Sequence, residues 1–249
     1  MKIFASYSIK GGVGKTSLSV NLSYAFRCAG LQTLLVDLDP QGAATFYFRV
    51  SSTEKFPLKG DGLSVSGLRE AIRESDYSGL DILPASPSYR KFDITLDGMR
   101  KSRKQLRFLM DELASDYDAV VLDCPPGLTL LSENVFRASD LLLVPVIPTV
   151  LSSRTLAQAY EFFAGHDLPA GVIRPFFSMV QSSHRMHHDL MATLPAEFPA
   201  FLKTAVPHAA SVEKMGLHRS PIQTFDPDCP AARAYAALSL EVLALRGQS

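Results

Sequence analysis

Lys10-Gly11-Gly12-Val13-Gly14-Lys15-Thr16 stands between an apolar run, Ile3–Ser8, and a helix-forming stretch, Ser17–Ala29. A strand that runs into a glycine loop and then opens a helix can close its backbone N–H groups around phosphate oxygens. The glycines permit the tight wrap, and the helix N-terminus adds the positive end of its dipole. In that setting Lys15 bridges β- and γ-phosphates, and the Thr16 hydroxyl is placed to ligate Mg2+. Gly11, Gly12, Val13, Gly14, Lys15, Thr16 and Ser17 are therefore the expected nucleotide-binding residues of the loop. One departure stands out. The general spacing G-x-x-x-x-G-K-[ST] asks for glycine five residues before Gly14, where this chain has Ile9, and an extra lysine, Lys10, opens the loop.

Outward from the loop, short apolar runs alternate with helical patterns. Thr33–Asp37, Leu80–Pro84, Ala119–Asp123, Leu141–Ile147 and Val172–Val180 read as buried strands. Leu106, Leu109, Met110 and Leu113 recur at helical spacing. Gly30 is placed to end the first helix. This alternation predicts a doubly wound, mainly parallel α/β sheet with helices on both faces. Ser51–Gly67, rich in Ser, Gly, Lys and Pro, is expected to be a loop too short to link domains. With no internal repeat, residues 1–249 are expected to form a single domain.

Two acidic clusters end strands. Asp37-Leu38-Asp39-Pro40-Gln41-Gly42 closes the second strand at its carboxyl edge, where doubly wound sheets keep their ligand crevice. Ala119–Asp123 followed by Cys124-Pro125-Pro126-Gly127 reads as a Walker B strand whose Asp123 faces the metal. The expected metal-side groups are Thr16, Asp37 and Asp123.

With its extra Lys10, the loop resembles the deviant Walker A of the ParA/MinD group of P-loop ATPases, and the match extends from Lys2 to about Leu245. The resemblance implies that ATP closes a two-fold dimer and that Lys10 reaches across the interface to the partner's nucleotide. It implies that Asp39, in switch I, prepares the attacking water, so that Lys10, Lys15 and Asp39 are the catalytic set. Cys-Pro-Pro-Gly resembles switch II, with Gly127 where the group usually has a small polar residue. Phe177–Gln181 resembles an adenine-side segment, implying Met179, and Phe225-Asp226-Pro227 resembles a turn near the base, implying Asp226 and Pro227. ATP and Mg2+ are the implied cofactors.

Lys+Arg and Asp+Glu each number 25, so any nucleic-acid surface must be local. Cys28, Cys124 and Cys229 are scattered without a C-x-x-C pair, which suits a reducing compartment and offers no ligand pair for an iron–sulfur cluster. Met1–Ala5 runs straight into a strand without a leader-like apolar region, and no apolar run approaches the ~18–20 residues that span a bilayer. A cytoplasmic protein is expected, nucleoid-associated when ATP-bound. The final helix, near Ala231–Arg246, is rich in Ala and Leu with only Arg233 and Arg246 basic, unlike the basic membrane-binding helix of MinD-type members.

The resemblance therefore points to the ParA-like class. Such an ATPase binds nonspecific double-stranded DNA as a dimer and positions or segregates a cargo, and a cargo-bound partner protein triggers hydrolysis. Pro207–Ile222 aligns by pattern with a DNA-contacting segment, but His208 and Ser211 occupy two frequently basic positions. Lys203, Lys214, Arg219 and Arg233 are the expected DNA-binding residues, with His218 nearby and weak binding expected. Arg103 and Lys104 are reserves in the cluster Arg100, Lys101, Arg103, Lys104 and Arg107, whose simplest reading is a solvated helix face. The competing reading is a membrane-recruited or DNA-free nucleotide-switched regulator.

Overall fold

The computed structural model describes residues 1–52, 58–59, 62–63, 65–88, 92–98, 102–198 and 200–246. The chain begins with β1 (Lys2–Ser6), α1 (Lys15–Cys28), β2 (Thr33–Asp37) and α2 (Ala43–Tyr47). A two-stranded antiparallel pair, β3 (Leu58–Lys59) and β4 (Gly62–Leu63), precedes α3 (Val65–Ala71), β5 (Arg73–Glu74), β6 (Leu80–Leu83) and α4 (Phe92–Asp97). Then follow α5 (Gln105–Asp111), β7 (Ala119–Asp123), α6 (Leu130–Ala138), β8 (Leu141–Val146) and α7 (Val150–Gly165). The last part holds β9 (Ile173–Phe177), α8 (Arg185–Glu197), α9 (Ala210–His218) and α10 (Pro230–Arg246).

Seven strands form one sheet in the order β5-β6-β2-β7-β1-β8-β9, parallel throughout except for the edge pair β5–β6. Side chains alternate across it, as the two-residue period of a strand requires. Ile3, Ala5, Leu34, Val36, Val120 and Leu122 face a core covered by residues such as Leu109 of α5, Val135 of α6 and Phe163 of α7. Phe4, Leu35 and Val121 face a second core, packed on Leu18 and Phe26 of α1, Met215 of α9 and Leu238 of α10. The expected doubly wound sheet is the observed one. Because β7 lies between β2 and β1, the carboxyl ends of these three strands meet, with Asp37 in register with Asp123 and Ser6 in register with Asp123.

The differences from expectation are local. β1 ends at Ser6 because the chain leaves the ladder for the loop, and α1 starts two residues early, at Lys15, from a left-handed Gly14. β9 ends at Phe177, where Ser178 and the left-handed Met179 (φ 53°) leave the strand before Val180 bridges Pro207. Part of the stretch expected to be loop is the β3–β4 pair and the start of α3. Arg103 and Lys104 sit in a 3-10 turn, not on α5. Arg103 pairs with Glu133, and Arg107 pairs with Asp111 and Asp140. Acids thus offset Arg103 and Arg107, while Arg100 and Lys101 of this cluster lie outside the described residues.

Candidate nucleotide site

The loop between β1 and α1 is held from three sides. The Ser6 hydroxyl donates to the Lys15 carbonyl at 3.0 Å, and the Ser178 hydroxyl donates to the Val13 carbonyl at 3.0 Å. The Lys10 amide donates to Ser8 Oγ at 3.2 Å. Gly12 (φ 71°) and Gly14 (φ 94°) take left-handed backbone, which lets the loop turn back on itself. A Cβ at Gly14 would also meet Ser178 Oγ at 3.2 Å. The helix that follows has no capping side chain and no acid in its first turn. Its first N–H groups and the positive end of its dipole therefore have no protein anion to answer them, which is the makeup of an anion site.

Lys15 is 7 % exposed, and its Nζ donates to the Lys10 carbonyl at 3.1 Å. Burial pulls its ammonium below the ordinary lysine range, while Asp123 pulls the other way. Lys10 is half-buried at the mouth of the loop, and among the described residues its side chain is in no ion pair.

Asp123 is fully buried at the end of β7. Its Oδ2 accepts from the Thr16 hydroxyl at 2.8 Å and its Oδ1 from the Ser19 hydroxyl at 2.9 Å. Beside it, the equally buried Asp37 accepts at Oδ2 from the Thr45 amide (2.8 Å) and hydroxyl (2.7 Å), and at Oδ1 from the Asp39 amide (3.3 Å). Burial pushes both carboxyls upward, and the neighbouring Asp37 pushes Asp123 further. Two crowded carboxyls with a hydroxyl at hand form an all-oxygen donor set, and this fits a hard divalent cation such as Mg2+. Of the three metal-side candidates, Thr16 and Asp123 are in direct contact. Both oxygens of Asp37 are already engaged, Oδ2 in holding Thr45 in the first turn of α2 and Oδ1 in holding the Asp39 amide.

Asp39 follows in a tight turn, its Oδ1 accepting from the Gln41 amide at 2.9 Å and its carbonyl from Gly42 at 2.9 Å. It lies close enough to raise the proton affinity of both Lys15 and Asp123. On the other flank, the buried Tyr7 hydroxyl donates to the Gly127 carbonyl at 3.0 Å, and its ring meets Phe136 edge-on at 4.6 Å. The segment after Asp123 is thereby tied to the end of β1. Cys124 is buried, and its thiol is pushed well up by burial.

Met179 lines a notch of about 60 Å3 with Gly14, Ser178, Pro207, Val212 and Tyr235, directly beside the loop. Asp226 instead accepts from the Ser211 hydroxyl at 2.6 Å, at the start of α9, and Pro227 is exposed in the turn before α10. The DNA candidates scatter. Lys203, Lys214 and Arg233 are exposed, and Glu241 takes the backbone amides of Lys203 and Thr204. Arg219 differs from them, because its Nε donates to the Phe46 carbonyl at 3.1 Å and its guanidinium lies 4.5 Å from the centre of the Phe46 ring.

The family model for an AAA domain matches residues 1–165. The chain belongs to that family. Within it, the chain is of the ParA/MinD group of P-loop ATPases. It is similar to the sporulation initiation inhibitor protein Soj of Bacillus subtilis, 29 % identical over 255 residues and covering 98 % of each chain. The chromosome partitioning protein ParA of Caulobacter vibrioides is 26 % identical over 254 residues, covering 98 % of this chain and 94 % of its own. Among solved structures, the septum site-determining protein MinD of Pyrococcus horikoshii, complexed with Mg-ADP, superposes with a TM-score of 0.76 at 21 % identity, covering 99 % and 97 % of the two chains.

Sequence reading gave no role in the candidate site to Tyr7, Ser19 or Thr45, and it placed Ser178 only within the adenine-side segment and Ser211 only at a frequently basic position. Ser19 alone left a signal, one helical turn after Thr16 on the face of α1 that meets β7. The others act across sequence gaps that no local pattern spans.

Proposed function

We propose that the chain is a ParA-like ATPase. It closes an ATP-sandwich dimer, holds nonspecific duplex DNA in that state, and positions or segregates a cargo whose partner protein stimulates hydrolysis and release. The observation that carries the reading is the convergence of the Thr16 and Ser19 hydroxyls on the buried Asp123 carboxylate, at the uncapped N-terminus of α1. Loop amides and Lys15 would hold the β- and γ-phosphates, and Thr16 and Asp123 would hold Mg2+, which when bound offsets triphosphate charge. Asp37 acts one step removed, fixing Thr45 and hence the turn that carries Asp39. Asp39 orients the attacking water, and Lys10, at the mouth of the loop, serves the nucleotide of a second copy. Met179 contributes to the base side, and Asp226 supports it through Ser211.

A second copy has a surface to meet. Leu128, Val150 and Leu151 are exposed just after the carboxyl ends of β7 and β8, on the edge that holds the loop. An apolar rim around a charged centre suits a partner of the same shape. DNA retention would rest on Lys203, Lys214 and Arg233, doubled by the dimer, and so would be weak and salt-sensitive. A membrane reading gains nothing from α10, whose Ala231, Ala232, Tyr235, Leu238 and Val242 are buried in the second core. No helix among the described residues is long and apolar enough to cross a membrane. The deciding experiment compares retention on two unrelated duplexes with ATP and with ADP at low salt, beside retention on anionic liposomes. ATP-dependent, sequence-blind retention on DNA is the expected result. Retention on liposomes alone, or on neither, would replace this reading with the membrane or DNA-free one.

A further inference from the structure

Arg219 carries the charge expected of a DNA contact, yet it is half-buried, and its charged head is held against Phe46 of α2. It follows α9 directly and takes left-handed backbone (φ 47°, ψ 54°). A helix-terminating position of that kind ordinarily falls to Gly or Asn, because a Cβ strains it. An arginine there must draw its compensation from its side chain. The guanidinium supplies it twice, by the hydrogen bond to the Phe46 carbonyl and by lying over the Phe46 ring. Phe46 is the residue after Thr45, and Thr45 grips the buried Asp37 with both its amide and its hydroxyl. The Thr45 hydroxyl oxygen also accepts from the Ala85 amide at 2.8 Å. Arg219 further lines a groove of about 270 Å3 with Pro40, Gln41 and Gly42, the turn that presents Asp39.

At its other contacts α9 meets the phosphate-loop helix. Asn21 of α1 donates from Nδ2 to Met215 Sδ at 3.4 Å and accepts at Oδ1 from the Ile222 amide at 2.9 Å. Thus α9 is grasped from α1 at its middle and from α2 at its end. Its outer face, with Lys214, Leu217 and His218, is exposed.

We propose that Arg219 is a positioning residue. It clamps switch I to the end of α9, so that seating Asp39 against nucleotide and setting the pose of α9 are a single movement. The inference rests on the ATPase reading above and goes beyond it, since it removes Arg219 from the DNA surface and gives α9 the role of reporting nucleotide state. Geometry distinguishes the two roles. A phosphate contact needs only a positive charge, which lysine keeps. The clamp needs a planar donor that stacks, which lysine lacks.

The test uses the full chain and its Arg219→Lys, Arg219→Ala and Phe46→Leu variants. Hydrolysis of Mg·ATP gives kcat and KM, and hydrogen exchange over residues 40–47 and 210–218 is followed with Mg·ATP and with Mg·ADP. We expect Arg219→Lys to lower kcat about tenfold, as a displaced water-positioning group should. KM should stay within about twofold, since the phosphate contacts are untouched. The nucleotide-dependent exchange of α9 should be lost in Arg219→Lys and weakened in Phe46→Leu, which keeps the backbone acceptor but not the ring. Wild-type kcat and exchange in Arg219→Lys would overturn the proposal, and so would a wild-type α9 that ignores nucleotide. Should Arg219→Ala fail to fold, the other two variants carry the test. A wild-type chain that binds no ATP would instead bring down the ATPase reading itself.

Discussion

At the carboxyl edge of the sheet, Lys15, Asp37 and Asp123 are almost out of reach of solvent, and each is held by named partners. On the outer surface of the last third, Lys203, Lys214 and Arg233 project into solvent. Burying a charge is costly unless something compensates it, so three such groups at one uncapped helix end imply a ligand that completes the balance. An exposed charge costs almost nothing to keep and carries little information by itself. The two regions differ in how far their chemistry can be read, and Arg219 shows the hazard. Its charge groups it with the exposed cations, while its contacts are with Phe46 of α2.

The comparison breaks most easily at Lys15. Lys15→Ala removes the main cation of the loop and the ammonium that Asp123 interacts with. ATP affinity by calorimetry should fall about a hundredfold or more, and an unchanged affinity would undo the reading of the whole edge. Next come the two residues whose roles separate within the same edge. Asp39→Ala should still dimerise with ATP but hydrolyse about a hundredfold more slowly, whereas Lys10→Ala should lose ATP-dependent dimerisation by light scattering. A wild-type dimer in Lys10→Ala would confine Lys10 to its own protomer's loop.

The outer surface should respond more gently. Replacing Lys203, Lys214 and Arg233 together by Gln should weaken retention equally on unrelated duplexes. It should flatten the salt dependence by about one unit of slope for each phosphate no longer neutralised, with ATP binding preserved. A sequence-dependent loss would mean that these side chains read bases. The smallest effect belongs to Tyr7→Phe, which keeps the ring against Phe136 and deletes only the bond to Gly127. A buried hydrogen bond is worth about 1 kcal/mol, so the melting temperature should drop by about 2–4 °C. A larger drop would mark the Tyr7–Gly127 tie as the main brace of the segment after Asp123.

The fold is legible in the sequence because its signals are local. Thr33–Asp37 and Ala119–Asp123 are continuous apolar runs, and each strand has the bounds that its run predicts. The phosphate loop is legible for the same reason, since strand, glycines, lysine and hydroxyl follow one another in sequence. What stays hidden lies between distant residues. Ser178 reaches Val13 across 165 positions, and Arg219 reaches Phe46 across 173. Serine and arginine are common surface residues, so neither identity nor spacing sets these two apart. The end of β9 escapes the pattern because Met179 and Val180 are apolar although the strand has ended at Phe177, and the left-handed turn at Met179 has no glycine to announce it.

Asn21 joins the phosphate-loop helix to Met215 and Ile222, and α9 and α10 cover the same sheet face as α1. Proteolysis would expose that dependence. A chain cut after Gly165 would keep every residue of the phosphate loop and both acid clusters. It would also turn β8 into a bare strand edge and strip cover from Phe4, Leu18 and Leu22, while Asn21 would lose its Met215 and Ile222 partners. Open strand edges beside uncovered apolar surface promote pairing between chains. Such a fragment should aggregate before it could bind nucleotide, even though the stretch matched by the family model would be intact within it.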